Sequence, residues 1–163
     1  TSETSKLVYL AESGALNEAF SDFFGKMVDY NEGNWDIGSR IMAPDWGRRA
    51  LRNMKNPEEF NQPGSNDSKL RVPTGDDCNR AQDRCGVHTN SGIPNRAMVL
   101  MVEANGKEKT EQLIYKVLTS RLSATATFKD FRKETVKTCG QLFGTSSKDC
   151  VNVAKAFDTV KIN

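Results

Sequence analysis

The chain of 163 residues predicts a mainly α fold, an irregular orthogonal bundle of about five helices with a long irregular region after the first helix. The prediction rests on the order of its patterns. Apolar residues recur at helical spacing near the N-terminus, periodicity then vanishes across a stretch rich in proline and glycine, and helical spacing returns after His88. No strand alternation and no internal repeat breaks this order. The length fits a single domain, 1–163, able to bury a core of its own.

The first helix is expected from Ser13 to about Tyr30, with Leu16, Ala19, Phe20, Phe23, Phe24, Met27 and Val28 on its apolar side. A tight Ser13-Gly14 turn leads into it, with Ser13 as N-cap. Glu18 and Asp22 stand one turn apart on this helix and therefore share a face. Between Asn31 and Val87 the prolines Pro44, Pro57, Pro63 and Pro73 mark an irregular region, and so long a loop in a compact chain is usually functional. Further helices are expected from Ser91 to about Ala104, closing at Asn105-Gly106, from Thr110 to Leu122, and from Thr127 to Phe143, closing at Gly144. The last should run from Ser146 or Ser147 to about Asp158, with Asp149 in its first turn and Val151, Ala154, Phe157 and Val160 facing inward.

A net charge of +2 with mixed signs argues against nucleic acid or an anionic membrane as partner. The longest apolar run, Ala97 to Val102, is far short of the ~18 residues that would span a bilayer. Four cysteines fall as two close pairs, Cys78 with Cys85 and Cys139 with Cys150. Local disulfides are the favoured reading and imply an oxidising compartment, although four cysteines allow three pairings. The competing reading is a Cys78, Cys85, His88 metal site, whose cysteine gap is wider than zinc knuckles use.

Two blocks carry a family resemblance. Asn17-Glu18-Ala19-Phe20-Ser21-Asp22, within Glu12 to Asp22, resembles the third-ligand helix of the thermolysin family of secreted zinc metalloendopeptidases. Gly86-Val87-His88-Thr89-Asn90-Ser91-Gly92-Ile93-Pro94-Asn95 resembles that family's Gly-Val-His-x-Asn-Ser-Gly-x-x-Asn signature. The likeness runs on to Val160-Lys161-Ile162, so the chain looks like the helical C-terminal half of such an enzyme. The resemblance implies Glu18 as zinc ligand and Asp22 as the carboxylate that orients a ligand histidine. It implies His88, oriented by Asp83, and Tyr9 as donors to a developing oxyanion. Arg52 would hold a substrate carbonyl, while Leu51, Ile37 and Ile41 would receive a bulky apolar side chain just after the scissile bond. The bland reading of these three is ordinary core packing.

The resemblance also implies calcium near the end of the first helix, where Asp29, Glu32, Asn34 and Asp36 cluster. Ser39 stands at an acidic position of that site in the family, and Arg49 stands where the family has an Asp for another calcium, so at most one calcium site is expected, with a solvated acidic loop as the alternative. The larger departure concerns zinc. The family's His-Glu-x-x-His motif, which brings two ligands and the general base, does not occur here, and His88 is the only histidine. The chain by itself is therefore expected to be inactive, with the N-terminal protease half and a peptide or protein substrate as its partners. The alternative is a stand-alone, catalytically dead pseudoprotease that binds peptides or proteins. A chain opening without a leader is what a processed, secreted product would show, and an open cleft face should favour self-association.

Overall fold

The computed structural model describes residues 1–31 and 33–163. Five long helices are present, as expected: α1 (Ala11–Val28), α3 (Gly92–Asn105), α4 (Lys107–Ser120), α5 (Phe128–Phe143) and α6 (Lys148–Thr159). A short α2 (Asp83–Asn90) precedes α3. The irregular region holds two-residue strands β1 (Asp36–Ile37) and β2 (Arg52–Asn53) and 3-10 turns at Pro44–Trp46 and Pro57–Phe60. The strands pair antiparallel, Asp36 opposite Asn53 and Ile37 opposite Arg52. The expectation of no strand is corrected here, because two residues are too few to show alternation.

The helices bury one continuous core. Phe131 of α5 lies edge-on to Phe20 of α1 and to Phe157 of α6, each at 5.3 Å between ring centres, so three helices meet on one fully buried ring. At the start of α5, Thr127 accepts from the Asp130 N–H while Asp130 reaches back to the Thr127 N–H, a reciprocal cap. Ser147 accepts from the Cys150 N–H at the start of α6. Both disulfides form as expected, Cys78 with Cys85 and Cys139 with Cys150, which removes the Cys-Cys-His alternative.

Four details of the sequence reading change. Ser13 is not the N-cap of α1: the helix starts at Ala11, and the Ser13 hydroxyl donates to the carbonyls of Val8 and Leu10 at 2.8 and 2.9 Å. Gly14 lies inside the helix rather than in a turn. Helix α4 begins at Lys107, directly after Gly106, whose φ of +85° lets α3 stop and α4 start without a loop. Val28 and Val151 are exposed, and the inward stripe of α6 is Val153, Ala156, Phe157 and Val160, since a surface valine fits the same spacing one turn over.

Buried amides do for the irregular region what ladders do for sheets. Asn90, fully buried, accepts from the Val72 N–H and donates to the Val72 carbonyl, both at 2.9 Å. The Asn53 side-chain oxygen accepts from the N–H groups of Lys55 and Asn56 at 2.9 and 2.7 Å. Gln62 donates to the His88 carbonyl at 2.6 Å. Backbone groups that no helix or strand satisfies are thereby paired.

Candidate active-site cleft

Helix α1 presents Glu18 and Asp22 on one face, and three other segments converge on them. Asp22 is 7% exposed and has its carboxylate held from two sides. Arg52 of β2 donates from Nη2 to Oδ1 at 3.0 Å and brings Nε to 2.7 Å from Oδ2. Asn95 of α3 donates to Oδ2 at 2.8 Å. The pairing of β1 with β2 sets Arg52 at this depth. Burial pushes the Asp22 carboxyl above its ordinary value, and the Arg52 charge and the Asn95 amide pull the other way.

Glu18 is more open. Tyr9 donates its hydroxyl to Oε1 at 2.6 Å. Oε2 lies 3.7 Å from Arg52 Nη2 and 3.8 Å from His88 Nε2, beyond hydrogen-bond reach of either. Burial, followed by the bond to Glu18, pushes the Tyr9 hydroxyl up to about 12, so at neutral pH it stays a donor.

His88 closes the cluster. Its Nε2 is 2.9 Å from the Tyr9 hydroxyl and its Nδ1 is 2.5 Å from Asp83 Oδ1. Tyr9 spends its single proton on Glu18 and Asp83 accepts at Nδ1, so this pattern is satisfied in full when both ring nitrogens carry protons. Asp83 also accepts the His88 N–H at 3.0 Å and, from Thr89, the N–H at 2.8 Å and the hydroxyl at 2.9 Å. Burial alone would raise the Asp83 carboxyl, but the bonds from His88 and Thr89 together hold it below its ordinary value.

The local fold that aims His88 is unusual. Asp83, Arg84, Cys85 and Gly86 all have positive φ, 53°, 46°, 65° and 82°, a left-handed turn that only the glycine adopts freely. Each other residue costs roughly 1–2 kcal/mol there. The Asp83 hydrogen bonds and the tie of Cys85 to Cys78 hold the turn. Gly14 permits the packing beneath it, since a Cβ at that position would come within 1.9 Å of Val87 Cγ1. The two signature blocks are thus pressed together in space by α1 against α2.

Ile37 and Ile41 line a cleft of about 280 Å³ together with Asp22 and Lys26. Leu51 lies beside it against Gly38. Ile41 is 76% and Leu51 43% exposed, so neither is a core residue. Of the calcium candidates, Asp29 faces Arg40 and Asp36 faces Arg49, while Glu32 falls outside the described residues. Lys26 and Thr89 contribute contacts that the sequence does not single out, and Asn95, the last residue of the signature block, gains its role only here, as the amide that donates to Asp22.

Fit to zinc is partial. Glu18 offers one carboxylate oxygen without a hydrogen bond, suited to one ligand of a metal, and among the described residues no group of three or more His, Cys, Asp or Glu is placed to hold one.

A carboxylate–tyrosine–histidine–carboxylate chain, Glu18, Tyr9, His88 and Asp83, thus runs along one wall beside α1 and α2. The chain belongs to the family described as thermolysin metallopeptidase, alpha-helical domain, whose family model matches residues 5–162. It is 38% identical over 160 residues to neutral protease NprE of Bacillus pumilus, covering 98% of this chain and 50% of that protein. It is 37% identical over 162 residues to the extracellular elastase of Staphylococcus epidermidis, covering 99% of this chain and 30% of that protein. The solved precursor of protealysin, a metalloproteinase from Serratia proteamaculans, superposes with a TM-score of 0.83 at 29% identity, covering 99% of this chain and 53% of that one. The chain therefore spans half or less of the length of the curated relatives named here.

Proposed function

We propose that the chain is the helical half of a secreted zinc metalloendopeptidase cleft, completed by a half that carries His-Glu-x-x-His. The observation that carries this reading is the unbroken chain Glu18, Tyr9, His88, Asp83 beside the buried Asp22–Arg52 pair. Glu18 would be the one zinc ligand from this side, and zinc would supply Lewis-acid polarisation of the substrate carbonyl. Asp22 keeps acceptor capacity beyond Arg52 and Asn95, since a carboxylate offers about four lone-pair sites, and would fix the ring of a ligand histidine.

The remaining residues work on the substrate. Tyr9, kept neutral, and His88, oriented at Nδ1 by Asp83, would donate to the oxygen on which charge develops. Arg52, braced by Asp22, would hold a peptide carbonyl, and Ile37, Ile41 and Leu51 would take a bulky apolar side chain. The exposure of Ile41 and Leu51 leaves apolar surface for the missing half to cover. Without that half no general base is in place, so the chain alone turns nothing over.

The test is a chimera in which this chain replaces the matching half of NprE. Turnover of a fluorogenic peptide is expected, with His88→Ala lowering kcat by about 10²–10³. A folded, zinc-loaded chimera without activity, or one indifferent to His88→Ala, overturns the reading.

A further inference from the structure

Calcium is the ion that the family resemblance implies for the segment after α1, and the side chains there do not fit it. Calcium takes six to eight oxygen ligands at about 2.3–2.6 Å. Among the described residues, both carboxylate oxygens of Asp36, the side-chain oxygen of Asn34 and one oxygen of Asp29 already face nitrogen. Asp36 accepts from Arg49 at both carboxylate oxygens, 3.0 Å from Nε and 3.3 Å from Nη2, and from Asn53 at 2.7 Å. Its backbone carbonyl is 3.4 Å from Lys26 Nζ. The Asn34 side-chain oxygen accepts the Asp36 N–H at 3.0 Å, and Asp29 accepts from Arg40 at 3.1 Å.

We infer that three basic side chains replace a calcium ion in this chain, Arg40 and Arg49 pairing with Asp29 and Asp36 and Lys26 reaching the Asp36 carbonyl from α1, so that the segment folds independently of calcium. Lys26 is the most buried of the three cations. It continues the helix face of Glu18 and Asp22 by one more turn, is only 5% exposed, and lines the same cleft as Asp22, Asp29 and Asp36. A lysine is almost never so buried without anionic company. A dication that used the Asp36 carbonyl as a ligand would meet that ammonium, where like charges are weakly screened.

Arg49 supplies the second cation. It also reaches Glu59 and lies over the Phe60 ring at 5.1 Å, so one guanidinium joins β1 to the Pro57–Phe60 turn. Asp36 in this pair is 16% exposed, which shields it from water. The Arg40–Asp29 pair is exposed on both sides, 82% and 59%, and adds little by itself.

Thermal unfolding of the purified chain tests it. The melting temperature should be the same in millimolar calcium chloride and in EDTA, and calorimetric titration with calcium chloride should give no saturable heat. Arg49→Gln should melt several degrees lower, and Arg49→Lys, which keeps the charge without the two-pronged contact, should recover part of the loss. A saturable rise in melting temperature with calcium overturns the inference. So does an Arg49→Gln chain that melts with the wild type.

Discussion

Between Gly92 and Thr159, four helices bury apolar stripes on one another, whereas between Asp29 and Asn90 a few apolar anchors such as Trp35 and Met54 and one disulfide are supplemented by single polar contacts at named atoms. In the first region Phe131, Phe157 and Val153 are fully buried and no one contact decides the fold. In the second, Asn90 satisfies Val72, Asn53 satisfies Lys55 and Asn56, and Asp83 gathers four donors. Burial is spread over many atoms and tolerates small errors, while a hydrogen-bonded loop fails wherever one partner is lost. The contrast teaches why the site is where it is. Arg52 and His88 both reach the cleft from the polar region, aimed there by contacts that a helix alone could not provide.

That contrast breaks most readily at the ring joining three helices. Phe131→Ala should cost about 3–5 kcal/mol and lower the denaturant midpoint of the whole chain, seen alike by circular dichroism and by His88 ring resonances. Asn90→Leu keeps the volume but orphans the Val72 N–H and carbonyl, at about 1–3 kcal/mol for each unpaired group. Hydrogen exchange should then rise near Val72 and α2 while α4 to α6 stay protected; uniform loss would show that the two regions are one cooperative unit.

Asp83 sharpens the comparison through pH. Its carboxyl lies below the ordinary value of 3.8 in the folded chain, so the native state binds its proton less readily than the unfolded one. This contribution is present in full above that value and is lost as pH falls through the lower folded one. Acid unfolding of the α2 turn should follow it, and Asp83→Asn should flatten that limb of the profile while loosening the His88 ring. The smallest effect belongs to the helical region: Thr127→Ala removes half of a reciprocal cap and should cost about 1 kcal/mol without moving His88 resonances.

Legibility in the sequence followed the same divide. Helices α3, α5 and α6 are readable because period and end signals are local: Thr127 and Ser147 stand at the expected starts and cap them, and Gly106 and Gly144 close α3 and α5. The Asp83–His88 pair and the disulfides came from spacing and resemblance. The β1–β2 pairing was not readable, since its two-residue strands take their register from Arg52 and Asn53 reaching distant partners. Nor was α2, whose left-handed opening from Asp83 to Gly86 leaves no apolar period. Lys26 went unremarked for a related reason: its place at i+4 from Asp22 looks like solvated helix surface until the loop from Asp36 folds over it.

Native mass spectrometry of the chain with added zinc, run beside a fluorogenic peptide assay, tests most directly the claim that it holds one side of a cleft. The account predicts a chain mass without retained zinc and no turnover, because Glu18 is a single ligand and the general base lies elsewhere. Stoichiometric zinc with measurable hydrolysis would contradict it and require ligands on this chain that Glu18, His88 and Asp83 do not supply.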